Sequence, residues 1–84
     1  MLFHVTVDHS PELCPVVNNT PEKIITAEGA AKAGVKLMLA LGGRAQHRTI
    51  YVVEADDINK LYDFLNPALS WAKCDIMPVR EMQN

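Results

Sequence analysis

At 84 residues, with a net charge of −2 and 49 % hydrophobic content, the chain is long enough for one domain only. Two cysteines allow at most one bridge, too few for a disulfide scaffold, and the longest apolar run, Leu37 to Leu41, falls far short of a membrane span. Lysines and arginines are scattered without a basic stripe or an aromatic RNA-binding motif, so neither nucleic acid nor membrane is an expected partner.

Leu2 to Asp8 alternates, with Phe3, Val5 and Val7 on one face and Leu2, His4, Thr6 and Asp8 on the other, which predicts a strand. Residues 9–20 carry Pro11, Pro15 and two asparagines and read as a loop. Thr20-Pro21-Glu22 reads as a helix start, with Thr20 as N-cap and Pro21 in the first helical position. Ile24, Ile25, Ala27, Ala30 and Ala31 supply the apolar face, and Gly34 ends the helix. Val35 to Leu41 is an apolar run bracketed by glycines and predicts a second strand, with Gly42 to His47 as the connection. Arg48 to Glu54 is rich in β-branched and aromatic residues and predicts a third strand. Asp56-Asp57 opens a second helix in which Ile58, Leu61, Tyr62 and Leu65 share a face, stopped by Asn66-Pro67. Trp71 to Val79 is the last strand, and Pro78, lacking an amide donor, means that it either lies at a sheet edge or ends there.

The order strand, helix, strand, strand, helix, strand is the ferredoxin-like βαββαβ arrangement, an α+β fold with two helices on one face of an antiparallel sheet. The other face stays bare in a chain that buries only about 60–65 % of its unfolded surface, so a homodimer is the expected remedy. The opening ten residues have neither a positive segment nor a long apolar one, so no signal peptide is expected and a cytoplasmic protein with reduced thiols is the reading.

Several segments carry a family resemblance. Met1 to Val5, Arg48 to Glu54 leading into Ala55-Asp56-Asp57-Ile58, and Asp75-Ile76-Met77-Pro78-Val79 resemble the muconolactone-isomerase-like group of the dimeric α+β barrel superfamily. The spacing of His9-Ser10-Pro11-Glu12-Leu13-Cys14-Pro15, of Ala33-Gly34-Val35-Lys36 and of Gln46-His47 to Val53-Glu54-Ala55-Asp56 is similar to a small uncharacterised group within it. The resemblance implies a dimeric barrel, and a superfamily of isomerases, cofactor-free monooxygenases, haem-degrading enzymes and small-ligand binders. No catalytic set carries over from the isomerases, whose middle segment is longer.

The candidate site is read from residue chemistry. His9, Glu12 and Cys14 sit in the loop after the first strand, and His47 sits just before the third. If those strands are antiparallel neighbours, His47 approaches His9 and Cys14. Two imidazoles and a thiolate suit zinc or another borderline transition metal with one open position, although H-x4-C is no recognised zinc signature. Cys14 beside an imidazolium would alternatively be a reactive thiol, against the commoner reading of a packed one. His4 and Tyr51 are supporting acid–base candidates if the His4 face lines a pocket; otherwise a neighbour satisfies His4 and Tyr51 packs in the sheet. Cys74 reads as core, and Asp56, Asp57 and Asp63 as capping and solvated charges. With no phosphate loop, CxxC, HExxH or nucleophile elbow, no organic cofactor is expected. Three readings stay open: a small-molecule enzyme or binder using His9, Cys14 and His47, supported by His4 and Tyr51; a metal-binding protein using the first three; or a non-catalytic self-assembling module.

Overall fold

In the computed structural model, which describes residues 1–82, the alternation in the first strand becomes a two-faced sheet. Strand β1 (Leu2–Asp8) pairs antiparallel with β3 (Arg48–Glu54) on one side and with β4 (Lys73–Val79) on the other, while β2 (Lys36–Gly43) pairs with β3. The spatial order is β2-β3-β1-β4, the ferredoxin-like arrangement. Helices α2 (Ala27–Ala33) and α3 (Ile58–Leu69) cover one face. Between β1 and α2 the chain makes a single 3-10 turn at Pro11–Leu13, a one-turn helix α1 (Pro15–Asn18) and another 3-10 turn at Pro21–Lys23.

The register sends Phe3, Val5 and Val7 of β1 and Tyr51 and Val53 of β3 beneath the helices. There they meet Ala30, Leu61, Phe64, Leu65 and Ala68, and the Tyr51 ring stands edge-on to Phe64 at 5.5 Å between centroids. Pro78 lies on β4, an edge strand, where its missing donor leaves no ladder bond unmade. No helix among the described residues is long and apolar enough to cross a membrane.

The bounds of four elements differ from the sequence reading. Thr20 caps nothing: its hydroxyl is buried without a partner, and the turn after it ends at Ile24, whose backbone is extended. The β-branched run Ile24-Ile25-Thr26 favours that geometry, and Thr26 is the true N-cap, its side chain accepting from the Gly29 amide at 3.0 Å. The helix does end at Gly34, whose φ of 76° lets the Val35 amide reach back to Ala30. Strand β2 therefore begins at Lys36, not Val35, and runs through Gly42 and Gly43, which keep their pairing with Thr49 and Arg48.

Helix α3 continues past Asn66-Pro67 to Leu69, although an internal proline costs about 3 kcal/mol. Leu65 and Ala68, either side of it, are buried in the core, and the Trp71 indole donates to the Pro67 carbonyl at 2.9 Å. The buried stripe of α3 is Leu61, Phe64, Leu65 and Ala68, whereas Ile58 and Tyr62 are exposed. Both sets obey the same helical spacing; only the docking onto the sheet selects one. Finally, Trp71 lies in the turn before β4 rather than on the strand.

Phe64→Ala is expected to lower unfolding free energy by about 3–5 kcal/mol, whereas Tyr62→Ala on the same helix changes it by about 0.5 kcal/mol or less. Urea unfolding of the two variants checks this rotation of the buried stripe.

Candidate functional site

The site grows out of the β1–β3 register. Asp8 pairs with Arg48, so one further step places His9 opposite His47, and the His9 amide donates to the His47 carbonyl at 3.2 Å. Directly opposed antiparallel residues hold their Cβ atoms about 4.5–5.5 Å apart, close enough for side chains to meet. His9 Nε2 lies 3.2 Å from His47 Nδ1, with the rings edge-to-face. His47 closes the turn after β2 with a left-handed backbone, φ 51°, and its amide donates to the Arg44 carbonyl. Histidine is among the few non-glycine residues enriched in that conformation.

Cys14 arrives by a different route. The turn at Pro11–Leu13 reverses the chain, with the Leu13 amide on the Ser10 carbonyl and the Cys14 amide on that of Pro11. Pro15, pre-set for helix, then starts α1 and is buried with Cys14 beneath it. The thiol thereby points back at the histidine pair: one ligand atom each from His9, Cys14 and His47 lie within 4.8 Å of one another. Both cysteines are free thiols.

Trp71 backs this group, its ring centroid 5.2 Å from that of His9, with the Lys23 ammonium 5.9 Å above the indole. A cleft of about 760 Å³ opens on one side, between the end of the β2–β3 hairpin and α1, bordered by all three residues together with Arg44 and Thr49. A smaller cavity of about 150 Å³ lies behind His9 and Cys14, towards Tyr51, Ala68 and Trp71. Arg48 does not present a free charge here, because Asp8 holds its Nε at 2.6 Å.

The environment favours a neutral His9. Burial lowers its pKa, the neighbouring His47 lowers it further, and Asp8 offsets part of that effect. At 3.2 Å the two ring nitrogens make a hydrogen bond only when one donates and the other accepts, so a doubly protonated pair loses that bond. Burial pushes the Tyr51 phenol and the Cys74 thiol up.

The structure thus brings together His9, Cys14 and His47 and separates the two supporting candidates. Tyr51 sits on the helix-covered face, buried in the core, and borders only the smaller cavity. His4 faces the opposite side of the sheet, opposed by Val52 and Met77. The two do not share a pocket, because Val5, not His4, is the residue paired with Tyr51. Glu12 is exposed in the turn, its carboxyl pKa lowered chiefly by a hydrogen bond from its own backbone amide and further by Ser10. Asp57 caps α3 through the Asn59 amide, and Asp56 pairs with Lys60, as solvated capping charges should.

Sequence reasoning missed Trp71, Arg44 and Thr49 as site neighbours. Arg44 and Thr49 lie within three residues of His47 and could have been found from that closeness, whereas Trp71 reaches the site only through the fold. Among known proteins the chain matches no family model and no curated sequence.

In the metal-free protein, the lowered His9 pKa means that the unfolded chain takes up a proton before the folded one below the ordinary value of about 6.5. This group therefore contributes stability that is present above pH 6.5 and is lost as the pH falls below it. The urea midpoint is expected to drop between pH 7.5 and 5.5, and His9→Gln should shrink that drop.

Proposed function

We propose that the protein is a metal-binding domain in which His9, Cys14 and His47 hold one transition-metal ion, zinc or a metal of similar softness. The remaining coordination position opens onto the 760 Å³ cleft, where a small molecule binds. One observation carries this reading: three potential ligand atoms converge within 4.8 Å from three separate chain segments.

The geometry supports it. With metal–nitrogen bonds of about 2.0–2.1 Å, two ligands on a tetrahedron stand about 3.3 Å apart, and a nitrogen and a thiolate about 3.5 Å. The histidine nitrogens already lie 3.2 Å apart. Closing the Cys14 sulfur onto them from within 4.8 Å needs little more than about 1 Å of movement. The lowering of the His9 pKa, chiefly by burial, favours the neutral form of that ring, which a metal requires. Three protein ligands and one open position are the pattern of zinc sites that bind water or substrate rather than merely brace a fold.

The expected result is one metal per chain in freshly purified, untagged protein, read by native mass spectrometry with elemental analysis. Cys14→Ser should weaken zinc affinity by more than about 100-fold, the upper end for losing an outer hydrogen-bond partner. Protein that purifies without metal and takes up no zinc at micromolar concentration would overturn the proposal, leaving the histidine pair as a proton-sharing dyad.

We also propose a homodimer through the helix-free sheet face. Leu39 and Leu41 of β2 and Met77 of β4 are 46 %, 51 % and 55 % exposed there, flanking Ile50, Val52 and His4. Leu41→Asp should convert a dimer to a monomer in light scattering without loss of zinc binding; a wild-type monomer at micromolar concentration would refute this interface.

A further inference from the structure

The cleft beside His9, Cys14 and His47 has a charge that no carboxylate among the described residues answers. Apart from the histidines, its ionisable walls are Cys14, Arg44 and Arg48. Asp8 neutralises Arg48, with contacts of 2.6 Å to Nε and 3.3 Å to the second nitrogen. Arg44 takes part in no ion pair among the described residues, and no carboxylate borders the cleft. A divalent metal with one thiolate and two neutral imidazoles retains a net charge of +1. Metal and Arg44 together leave two positive charges in a protein whose overall charge is −2.

The rest of the wall is apolar or absent. Val16 and Val17, on the single turn that carries Cys14, are 79 % and 72 % exposed, an unusual placement for two adjacent branched residues. Opposite them Gly42 and Gly43 present no side chain, and a Cβ at Gly42 would meet nothing within 4 Å. The volume lies inside the range of about 300–1,000 Å³ common to small-molecule sites. Thr49 completes the border of the cleft.

From these features we infer that the cleft takes a small aliphatic carboxylate, its charged end between the metal's open position and Arg44 and its apolar body against Val16 and Val17. The inference rests on the metal reading above. A planar guanidinium fork matches a carboxylate in two parallel hydrogen bonds. A phosphate would instead look for a cluster of free backbone amides and several cations, and would gain nothing from two valines.

Cobalt(II)-loaded protein tests both levels separately. A thiolate-to-cobalt charge-transfer band reports the metal in place, and the visible d–d bands report its open position. Butyrate is expected to shift the d–d bands saturably and to bind about tenfold more tightly than acetate, the worth of two further buried methylene groups. Arg44→Gln should leave the cobalt spectrum intact before ligand is added and weaken butyrate at least about tenfold, as loss of a charged hydrogen-bonding partner does. Absence of the charge-transfer band would overturn the metal reading and this inference with it. A normal band with no response to butyrate, an equal response in Arg44→Gln, or tighter binding of inorganic phosphate than of butyrate would each overturn the carboxylate and leave the metal standing.

Discussion

The pairing register of β1 against β3 is the constraint on which the rest of the molecule depends. It places Val5 against Tyr51 and Phe3 against Val53, so both strands send their apolar residues to the same face. A slip of one residue would turn every one of these side chains to the other side and expose the core. The same register, carried one step beyond the regular ladder, sets His9 opposite His47. Core and site are thus two readings of one alignment. The histidines cannot be separated without disturbing the packing, because the hydrophobic face fixes which residues stand opposed.

The segment that brings the third residue is built on different terms. Between Pro11 and Lys23 the chain is a succession of single turns, none long enough to be stable alone. Its prolines at the first position of each turn reduce the freedom lost on folding. Apart from Cys14 and Pro15 its apolar residues are poorly covered, with Leu13, Val16 and Val17 all exposed. A rigid histidine pair therefore faces a thiol on a lightly held arm. A metal bridging the two would add to this arm a bond that its packing lacks, and metal affinity would then be coupled to the ordering of residues 10–24.

Electrostatics divide the two ends of the site. Asp8 and Arg48, opposed in the last regular pair of the ladder, satisfy each other and leave little net charge. One residue further along, neither histidine makes an ion pair with a carboxylate among the described residues, and burial together with the neighbouring His47 lowers the His9 pKa, an effect Asp8 offsets in part. The Asp8–Arg48 pair is open to solvent, so its direct contribution to stability is small. What it does is remove one arginine from the cleft and leave Arg44 as the cation available there.

Sequence alone determined the elements whose information is local. The alternation of Leu2 to Asp8, the β-branched density of Arg48 to Glu54, and the helical spacing after Asp57 sufficed for the ferredoxin-like order, while Pro78 left the last strand either at an edge or ending there, and the fold puts it at the edge. His9, Cys14 and His47 were visible as candidates because they are chemically active side chains collected in loops beside strand ends, where sites tend to form. Tertiary structure decided the rest. Which α3 stripe is buried, whether the chain continues through Pro67, and where α2 begins each turn on a competition between local preference and burial. Ile58 with Tyr62 and Phe64 with Ala68 are equivalent by periodicity, and only docking onto the sheet distinguishes them. Likewise His4 and Tyr51 are both plausible by type, yet strand pairing sends them to opposite faces. Trp71 joins the site because chain reversals carry it against His9, and that proximity is a property of the folded path that no local spacing encodes, whereas Arg44 is a near neighbour of His47 in the same turn.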